Sequence, residues 1–293
     1  MGLPFVSVII PTYRDDERLQ KCVAAISKMN YPMENIEVLI VDNDSLILSR
    51  NWGKYPFQLR WIHEPEGGSY SARNRGVMES RYEVLAFTDA DCIPDKNWLQ
   101  NAVGVIKSGA ARVGGRVELF FGSRMLNGVE LYEKLTAFPQ EEYIRNYKAC
   151  VTANLVSKKK NFLIAGLFDG SLETGGDIEW GKRCQLAGID IEYVESSIIY
   201  HPARSTLSHL LAKQRRVVSG ISIYEPGFYS QKFSSFLIRV GRGLTPPLTS
   251  LVRYWKDPRF TIVQRLKIFS VFYIVKLART YYLARLRWKG NLK

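Results

Sequence analysis

Short apolar runs rich in Val, Ile and Leu alternate along the first hundred residues with segments whose apolar positions have helical spacing. The runs are continuous rather than alternating, which is typical of strands buried on both faces of a sheet. We therefore predict a parallel sheet with covering helices. The predicted strands are residues 6–10, 36–41, 59–62 and 84–88, and the predicted helices are residues 17–29, 71–79 and 96–107.

Beyond about residue 110 the hydrophobic pattern becomes mixed, with strands and helices in no regular alternation. No internal repeat or low-complexity segment is present. The pattern predicts strands at 111–119, 191–194 and 197–200, a helix at 129–147, an irregular stretch through 166–170, and a helix that opens near Asp177.

The positive charge is concentrated at the C-terminus. Of 41 basic and 28 acidic residues in the 293-residue chain, residues 233–293 hold 13 basic residues and one acid, Asp257. Residues 1–232 are therefore close to neutral. The C-terminal segment also holds many aromatic residues, and on one continuous helix Arg265, Lys276, Arg279 and Arg287 would share one side. Its composition suits an anionic membrane surface, and equally a nucleic acid.

Targeting and redox signals are weak. The four cysteines are far apart and lack metal-site spacing, so we expect free thiols in a reducing compartment. The N-terminal apolar run stops at Pro11, without the basic start or length of a signal peptide. The uncharged run at 268–275 is far shorter than the ~20 residues that a spanning helix needs. We expect a cytoplasmic protein that lies at most peripherally on the inner face of a membrane.

Three predicted strands end in polar residues, which points to a ligand site. In an open parallel sheet, ligands bind beyond the carboxyl ends of the strands. A single acid at such an end is usually a turn or helix-capping residue, but three strand ends at one edge favour a site. The residues concerned are Pro11, Thr12, Tyr13, Asp42, Asp89 and Asp91.

Asp89 and Asp91 form an Asp-x-Asp pair directly after a buried strand. Two carboxylates in this position can hold Mn²⁺ or Mg²⁺, with substrate phosphates and water completing the coordination shell. Such a cation neutralises charge on a departing diphosphate. The pair alone is weak evidence, and its place after the run VLAFT makes it more specific.

Five short motifs occur in order over residues 5–205, and together they resemble family 2 of the glycosyltransferases, which has the GT-A fold. They are VSVIIPTY at 6–13, VDNDS at 41–45, ARNRG at 72–76, DAD at 89–91, and GLFD at 166–169 leading to GGDIE at 175–179. The resemblance implies a GT-A catalytic domain over residues 1–232. Its nucleotide-binding half would be about 1–110 and its acceptor half about 111–232, followed by a basic helical extension at 233–293.

The resemblance also implies how a nucleotide-sugar donor is bound. Asp42 would accept a hydrogen bond from a ring N–H of the base, Arg73 would lie against the nucleotide half, and Asp89 would face the ribose or the metal. A helix arginine such as Arg73 is otherwise more often solvated. The resemblance implies a UDP-sugar donor, since pyrimidine contacts of this kind do not separate UDP from TDP. The implied donor-binding residues are Pro11, Thr12, Tyr13, Asp42, Arg73, Asp89, Gly175 and Gly176, and Asp91 would ligate the metal.

Asp177 is the candidate general base for an inverting transfer, in which a carboxylate removes the acceptor's proton. Gly175 and Gly176 permit an unusual turn and a close backbone approach before it. Asp177 is alternatively a helix N-cap, and the positive helix end is then expected to lower its pKa. Many relatives carry Glu-Asp where this chain has Gly176-Asp177, so Glu179 shares the candidacy.

Three further polar residues are candidates. In related folds a late histidine completes the metal shell, which implicates His201, although a lone histidine is more often structural. Arg215 and Arg216 are candidates for contacting the diphosphate, or belong to a solvated helix face. Their segment resembles the Gln-x-x-Arg-Trp motif of processive synthases, but the tryptophan is missing. We therefore expect addition of one or a few sugars to a glycan or lipid-linked acceptor, such as a surface-polysaccharide precursor.

Two other functions remain open from the sequence alone. A nucleotidyltransferase shares the parallel sheet and the metal-binding acids, but the segment after the first strand lacks its Gly/Arg/Lys-rich phosphate loop. A non-enzymatic module that binds membrane or nucleic acid would leave the acids as structural residues. A lipid-linked acceptor makes membrane binding by the C-terminal segment the simpler account, and nucleic acid an unlikely partner.

Overall fold

A computed structural model describes residues 2–43, 52–225, 227–228, 230–248 and 257–290 of the chain. The chain divides into two compact units. The first comprises Met1–Phe120 and Phe138–Pro202, and the second comprises Phe121–Ala137 and Ala203–Lys293.

The first unit is built on a sheet that has eight strands within the described residues. Their spatial order is β3-β2-β1-β4-β7-β6-β8-β5, and four of the seven neighbouring pairs are parallel. The strands are β1 (Val6–Thr12), β2 (Ile36–Asp42), β3 (Gln58–His63), β4 (Val84–Phe87), β5 (Ile93–Pro94), β6 (Arg112–Phe120), β7 (Leu155–Lys158) and β8 (Ile191–Pro202).

Helices cover both faces of this sheet, as the sequence predicts for an α/β fold. Side chains alternate between faces along β1, so Val8 and Ile10 pack with one set of helices and Ile9 with the other. The helices of the first unit are α1 (Asp16–Ile26), α2 (Ser69–Glu79), α3 (Trp98–Lys107), α5 (Gln140–Tyr147), α6 (Lys160–Ala165) and α7 (Gly176–Leu186).

The predicted helix at 129–147 is wrong in its continuity. The structure has α4 (Gly128–Thr136) and then α5, with Pro139 between them. Proline lacks a backbone N–H and disfavours helical backbone at the preceding residue. Phe138, the residue before it, has a positive φ of 49°, which lies outside the α-helical range.

The two predicted strands at 191–194 and 197–200 are one strand, β8. Its pairing with β6 is irregular where they were predicted to separate, because Gly115 pairs with Val194 and Arg116 with Ile198. The strands β5 and β7 and the helix α6 were not predicted. Segments of two to six residues are too short to show a hydrophobic period.

Asn154 fills the irregularity between β6 and β8. It is fully buried, and its Nδ2 donates to the carbonyl oxygens of Arg116 at 2.8 Å and Ser197 at 2.9 Å. Its Oδ1 accepts a 2.8 Å hydrogen bond from the indole of Trp98. A Cβ on Gly115 would lie 2.4 Å from Nδ2 of Asn154, so the close approach requires glycine.

The second unit is helical within its described residues. Leu210 packs in one cluster with Val129, Val271 and Val275, and so joins three helices. The buried carboxylate of Glu133 pairs with Arg204 at 2.9 Å and with Lys213 at 3.2 Å. The helices of this unit are α4, α8 (Leu207–Ser219), α9 (Ile221–Tyr224), α10 (Phe233–Leu244) and α11 (Ile262–Gly290).

The helical C-terminal extension predicted for residues 233–293 is thus present in α10 and α11. The predicted boundary at residue 232 falls inside the second unit, because α11 buries part of its surface against α4 and α8. The predicted basic side of α11 is also partly used inside the unit. Arg287 is buried and donates to the carbonyl oxygens of Phe228 and Gln231.

Replacing Asn154 by alanine is expected to lower the free energy of unfolding by about 3 kcal/mol or more, because three buried groups lose their partner at about 1 kcal/mol or more each. Urea unfolding measures the loss. Asn101→Ala is the matched control, since Asn101 also donates to a β8 carbonyl, that of Ser196 at 2.6 Å, where water can replace it. Equal losses in the two variants would contradict this role of Asn154.

Candidate functional site

The carboxyl ends of β1, β2 and β4 lie at one edge of the sheet, as predicted. Thr12 pairs with Asp42 in the parallel register, and both residues are buried. The hydroxyl of Thr12 has no hydrogen-bond partner among the described residues, so it is available to a ligand. Pro11 precedes it within β1, and the ring of Tyr13 is 59% exposed just beyond. This strand end offers a planar ring both a polar contact and an aromatic surface.

Arg73 is a buried ion-pair residue rather than a solvated one. It is 4% exposed, and its Nη2 lies 2.5 Å from Oδ1 of Asp89. A second guanidinium nitrogen donates to the carbonyl oxygen of Ser69 at 3.2 Å. The guanidinium also lies over the ring of Tyr70, 5.5 Å from its centroid. Arg73 therefore orients Asp89 and brings a fixed positive charge to the end of β4.

Four potential metal donors converge beside Arg73. One ligand atom from each of Asp89, Asp91, Cys92 and His201 lies within 4.8 Å of the others. Three of them follow β4 directly, whereas His201 comes from the far end of β8. The two aspartates and the histidine were predicted from the sequence, and Cys92 was not.

The imidazole of His201 is oriented for ligation. Its Nδ1 lies 2.8 Å from the carbonyl oxygen of Pro202. Because a carbonyl oxygen only accepts hydrogen bonds, Nδ1 carries the proton and donates. The other nitrogen, Nε2, is then unprotonated in the neutral ring and lies 3.7 Å from Oδ1 of Asp91. Hydrogen bonding of this kind fixes the tautomer of metal-binding histidines. The ring of Phe138 packs 4.7 Å from the imidazole and limits its rotation.

Asp91 is less well compensated by positive charge than Asp89. Burial raises its pKa, with the neighbouring Asp89 adding to the rise, while the guanidinium of Arg18 opposes it, as His201 does only when its ring is protonated. The Arg18 contact is long, at 3.6 Å. A divalent cation would supply the missing positive charge.

The donor set fits a divalent cation. Two carboxylates suit Mg²⁺ or Mn²⁺, and a neutral imidazole favours a transition metal such as Mn²⁺. The thiol of Cys92 is fully buried, and burial raises its pKa well above the ordinary value. A thiol is also a softer ligand than Mg²⁺ or Mn²⁺ prefers. The residues that would hold the cation are Asp89, Asp91 and His201.

Asp177 is a partly buried carboxyl with an unusual environment. Burial raises its pKa, and this effect outweighs the opposing hydrogen bond from the backbone N–H of Ile178 and the charge of Arg73. The N–H groups at the helix end do lower the pKa, as expected, but burial has the larger effect. The residue is not the N-cap, because α7 begins at Gly176 and is capped by Gly175. A raised pKa brings a carboxylate closer to the range in which it is an effective base.

Gly175 and Gly176 shape the turn before Asp177. Gly175 has a φ of 77°, in the left-handed region that favours glycine. A Cβ on Gly176 would lie 2.8 Å from the ring of Tyr70. This close approach brings the hydroxyl of Tyr70 within 3.3 Å of Oδ1 of Asp177. Tyr70 thus contacts both Arg73 and Asp177. The contact with Asp177 could not be predicted from the sequence, because the two residues are 107 positions apart.

Glu179 is engaged elsewhere. Both of its carboxylate oxygens accept from the guanidinium of Arg183, at 2.6 and 2.8 Å. Arg183 also donates to the carbonyl oxygens of Ala165 and Leu167 before the turn. This arrangement favours Asp177 over Glu179 as the base.

Asn74 connects two of the sequence motifs. Its Nδ2 donates to the carbonyl oxygen of Phe168 at 2.8 Å, and its Oδ1 accepts from the N–H of the same residue at 2.9 Å. The Asn74 side chain therefore attaches the segment before α7 to helix α2. It makes the paired N–H and C=O hydrogen bonds that a neighbouring strand would make.

Arg215 and Arg216 lie on α8 of the second unit. Arg215 lines a cleft of about 290 Å³ together with Arg285 of α11. Contact of either arginine with a diphosphate stays a prediction. No described helix is long and apolar enough to cross a membrane.

Comparison with known proteins identifies the family to which this fold and this arrangement of side chains belong. Residues 7–154 match the model of glycosyl transferase family 2. Glycosyltransferase AglE of Haloferax volcanii is 38% identical over 224 residues, which cover 74% of this chain and 73% of AglE. The chain belongs to glycosyl transferase family 2, and the resemblance found in the sequence is confirmed.

Solved structures share the GT-A fold with this chain. The mannosyltransferase PcManGT from Pyrobaculum calidifontis, in complex with GDP-Man and Mn²⁺, aligns with a TM-score of 0.60 at 15% identity, over 97% of this chain and 87% of that one. A portion of S. aureus TarS in complex with UDP-GlcNAc aligns with a TM-score of 0.55 at 15% identity, over 93% and 90%. The predicted fold class is thereby confirmed.

Asp177→Asn is expected to abolish most transfer and to raise the melting temperature at pH 7. Loss of a general base lowers the rate about 10²–10⁴-fold. Because the pKa is raised in the folded chain, the stability linked to Asp177 is fully present below the ordinary value of 3.8 and is lost as the pH rises through the raised pKa. At pH 7 the carboxylate therefore destabilises the fold, which a neutral amide does not.

Transfer assays and thermal melts from pH 3 to 8 measure both effects, and the gain in melting temperature should vanish at the acid end. Glu179→Gln is the control, since it breaks the ion pair with Arg183 and should keep most of the transfer activity. A larger loss of transfer in Glu179→Gln would assign the base to Glu179 instead.

Proposed function

We propose that the protein is an inverting, non-processive glycosyltransferase that uses a UDP-sugar and a divalent cation, with Asp177 as general base. The observation that carries the proposal is the pairing of two acidic sites with different environments. One is the Asp89, Asp91 and His201 cluster, and the other is the partly buried Asp177 with its raised pKa. Family membership favours sugar transfer over both a nucleotidyltransferase and a non-enzymatic binding module.

The donor's nucleotide would bind at the ends of β1 and β2. Asp42 and the hydroxyl of Thr12 are the groups for the edge of the base, and the exposed ring of Tyr13 offers it a stacking surface. A carboxylate acceptor matches the ring N–H of uracil. Arg73, already held against Asp89, adds positive charge beside the ribose and diphosphate.

The metal-binding residues would act on the leaving group. A bound divalent cation supplies Lewis-acid stabilisation of the departing diphosphate. Asp89 and Asp91 hold negative charge at this position, and the fixed tautomer of His201 presents a lone pair to it. The neighbouring cysteine thiol and the core behind it exclude water from that side.

Asp177 would take the acceptor's proton as the acceptor oxygen attacks the anomeric carbon. Its Oδ1 already accepts from Tyr70 and from the N–H of Ile178, which leaves Oδ2 for the incoming hydroxyl. An attack on the face opposite the diphosphate inverts the anomeric configuration. The absence of a tryptophan after Arg216 supports addition of one or a few sugars.

Asp91→Ala is expected to abolish both sugar transfer and the metal-dependent stabilisation by UDP, while the fold persists. The reason is that Asp91 lies at a strand end and faces His201 rather than the core. Thermal shift with UDP, with and without Mn²⁺, measures the binding. Asp190→Ala removes an exposed carboxylate of the same unit and should leave the shift unchanged.

Two outcomes of this experiment count against the proposal. Metal-dependent UDP binding that survives in Asp91→Ala would remove Asp91 from the metal site. Stronger stabilisation of the unaltered protein by GDP than by UDP would overturn the assignment of a UDP-sugar, and stabilisation by a nucleoside triphosphate alone would favour a nucleotidyltransferase.

We further propose that the second unit binds the anionic inner leaflet of a membrane, where a lipid-linked acceptor would be found. Phe233, Leu237 and Leu244 of α10 are each more than half exposed. At ~100° per residue these three positions fall within about 40° of one another, so they form one apolar stripe. Aromatic and aliphatic side chains on such a stripe, in a strongly basic unit, are typical of interfacial helices.

Phe233→Ser with Leu237→Ser is expected to release the protein from anionic vesicles, because the buried apolar area is lost. Co-sedimentation across a salt series measures binding, and salt should weaken it as charges are screened. The matched control is Leu163→Ser with Leu186→Ser, which removes two exposed leucines from the first unit. Equal loss in both variants, or equal binding to neutral vesicles, would contradict the proposal.

A further inference from the structure

A cleft of about 450 Å³ lies between α10 and α11 of the second unit. Its apolar lining includes Phe236 and Val240 from α10, and Phe272, Val275 and Leu283 from α11. This volume is in the range of small-molecule binding sites. None of the residues assigned above to the donor, the metal or the base belongs to it.

Packing of the two helices keeps the cleft walls in place. A Cβ on Gly243 of α10 would lie 2.1 Å from the hydroxyl oxygen of Thr280, so glycine permits the helices to touch there. Tyr273 donates to the carbonyl oxygen of Leu244 at 2.9 Å, which ties the end of α10 to α11. The two helices that form the cleft are therefore held together by close packing and by a hydrogen bond.

Four cations line the cleft together with the apolar residues: Arg239, Arg242, Lys276 and Arg279. Arg239 is paired with Glu225, at 2.5 and 3.0 Å. Lys276 donates to the carbonyl oxygen of Thr245 at 2.8 Å, which leaves its charge uncompensated by any acid. Among the described residues, no carboxylate lies within ion-pair distance of Arg242 or Arg279.

The sequence of the second unit contains few acids that could pair with these cations. Its residues include 20 Lys and Arg but only four Asp and Glu. All four acids are engaged: Glu130 caps α4, Glu133 pairs with Arg204 and Lys213, Glu225 pairs with Arg239, and Asp257 pairs with Arg259. The residues of this unit outside the described ranges include no Asp or Glu. The cleft therefore carries a net positive charge of about three that an anion can neutralise.

Size and charge together define the ligand. At about 30 Å³ for each water-sized group, the cleft holds about 15 such groups, enough for a phosphate and part of one hydrocarbon chain. A phosphate monoester carries about −1.5 to −2 at pH 7, and a diphosphate carries more. The phosphodiester of a two-chain phospholipid carries a single charge and leaves more of the cleft's positive charge uncompensated.

We propose that this cleft binds the phosphate or diphosphate end of a single-chain lipid. Arg242, Lys276 and Arg279 contact the phosphate oxygens, and the first carbons of the chain lie against Val240, Val275 and their apolar neighbours. The lipid's role as the carrier of the sugar acceptor rests on the proposed function, whereas its binding does not.

The probe is dodecyl phosphate, titrated calorimetrically into the full chain below its critical micelle concentration. Dodecyl maltoside has the same alkyl chain without a charged head group, and inorganic phosphate has the charge without an alkyl chain. Both should bind at least about tenfold more weakly than dodecyl phosphate, since each lacks one half of the interaction. Phosphatidylglycerol vesicles should not displace the probe.

Arg242→Gln with Arg279→Gln removes two exposed cleft cations without disturbing a described ion pair. It is expected to weaken dodecyl phosphate binding about tenfold or more. Val240→Trp should do the same by filling the cleft. The matched control is Arg124→Gln with Lys134→Gln, which makes the same charge change at exposed positions of this unit outside the cleft.

Equal binding of dodecyl phosphate by the cleft pair and the control pair would overturn the proposal, even if Val240→Trp does not fold. Binding of dodecyl maltoside as tight as that of the phosphate would also overturn it, and full displacement by phosphatidylglycerol would assign the cleft to a membrane headgroup. UDP-sugar hydrolysis by the cleft pair should be unchanged. Probe binding without hydrolysis of any nucleotide sugar would instead count against the proposed function alone.

Discussion

Repulsion between carboxylates at the end of β4 is the constraint on which the site depends. Asp89 and Asp91 are brought together, and burial disfavours the charged form of Asp91. The structure compensates Asp89 internally through the buried Arg73, and it leaves Asp91 with only His201 and a distant Arg18. One ion pair thus gives two neighbouring aspartates different electrostatic environments, and Asp91 is the one with the stronger attraction for a cation.

The same arginine connects this cluster with the candidate base. Arg73 lies against the ring of Tyr70, whose hydroxyl contacts Asp177. The approach is possible only because Gly176 has no side chain to meet the Tyr70 ring. The carboxyl of Asp177 therefore accepts hydrogen bonds from Tyr70 and from the N–H of Ile178 while it stays poorly solvated. Burial that raises a pKa at some cost in stability is a common feature of catalytic acids and bases.

The second unit contains many more basic side chains than acidic ones. Its four acids are all committed to ion pairs or to a helix cap, and most of its basic side chains have no acid to meet. Most of its described cations stay exposed, and the unit has a strong electrostatic attraction for anions. The exposed stripe on α10 and the lined cleft beside it add apolar surface to that attraction, which suits an amphiphilic ligand.

The sequence by itself determined the family, the α/β fold, the strand ends that carry Thr12, Asp42 and Asp89, and the basic helical C-terminus. These features are local, because a buried strand or a charge run is written in consecutive residues. Only the tertiary structure decided that His201 meets Asp91, that Arg73 is buried, and that the pKa of Asp177 is raised rather than lowered. Those outcomes depend on burial and on contacts between residues up to about a hundred positions apart, and neither quantity has a period or a spacing in the chain.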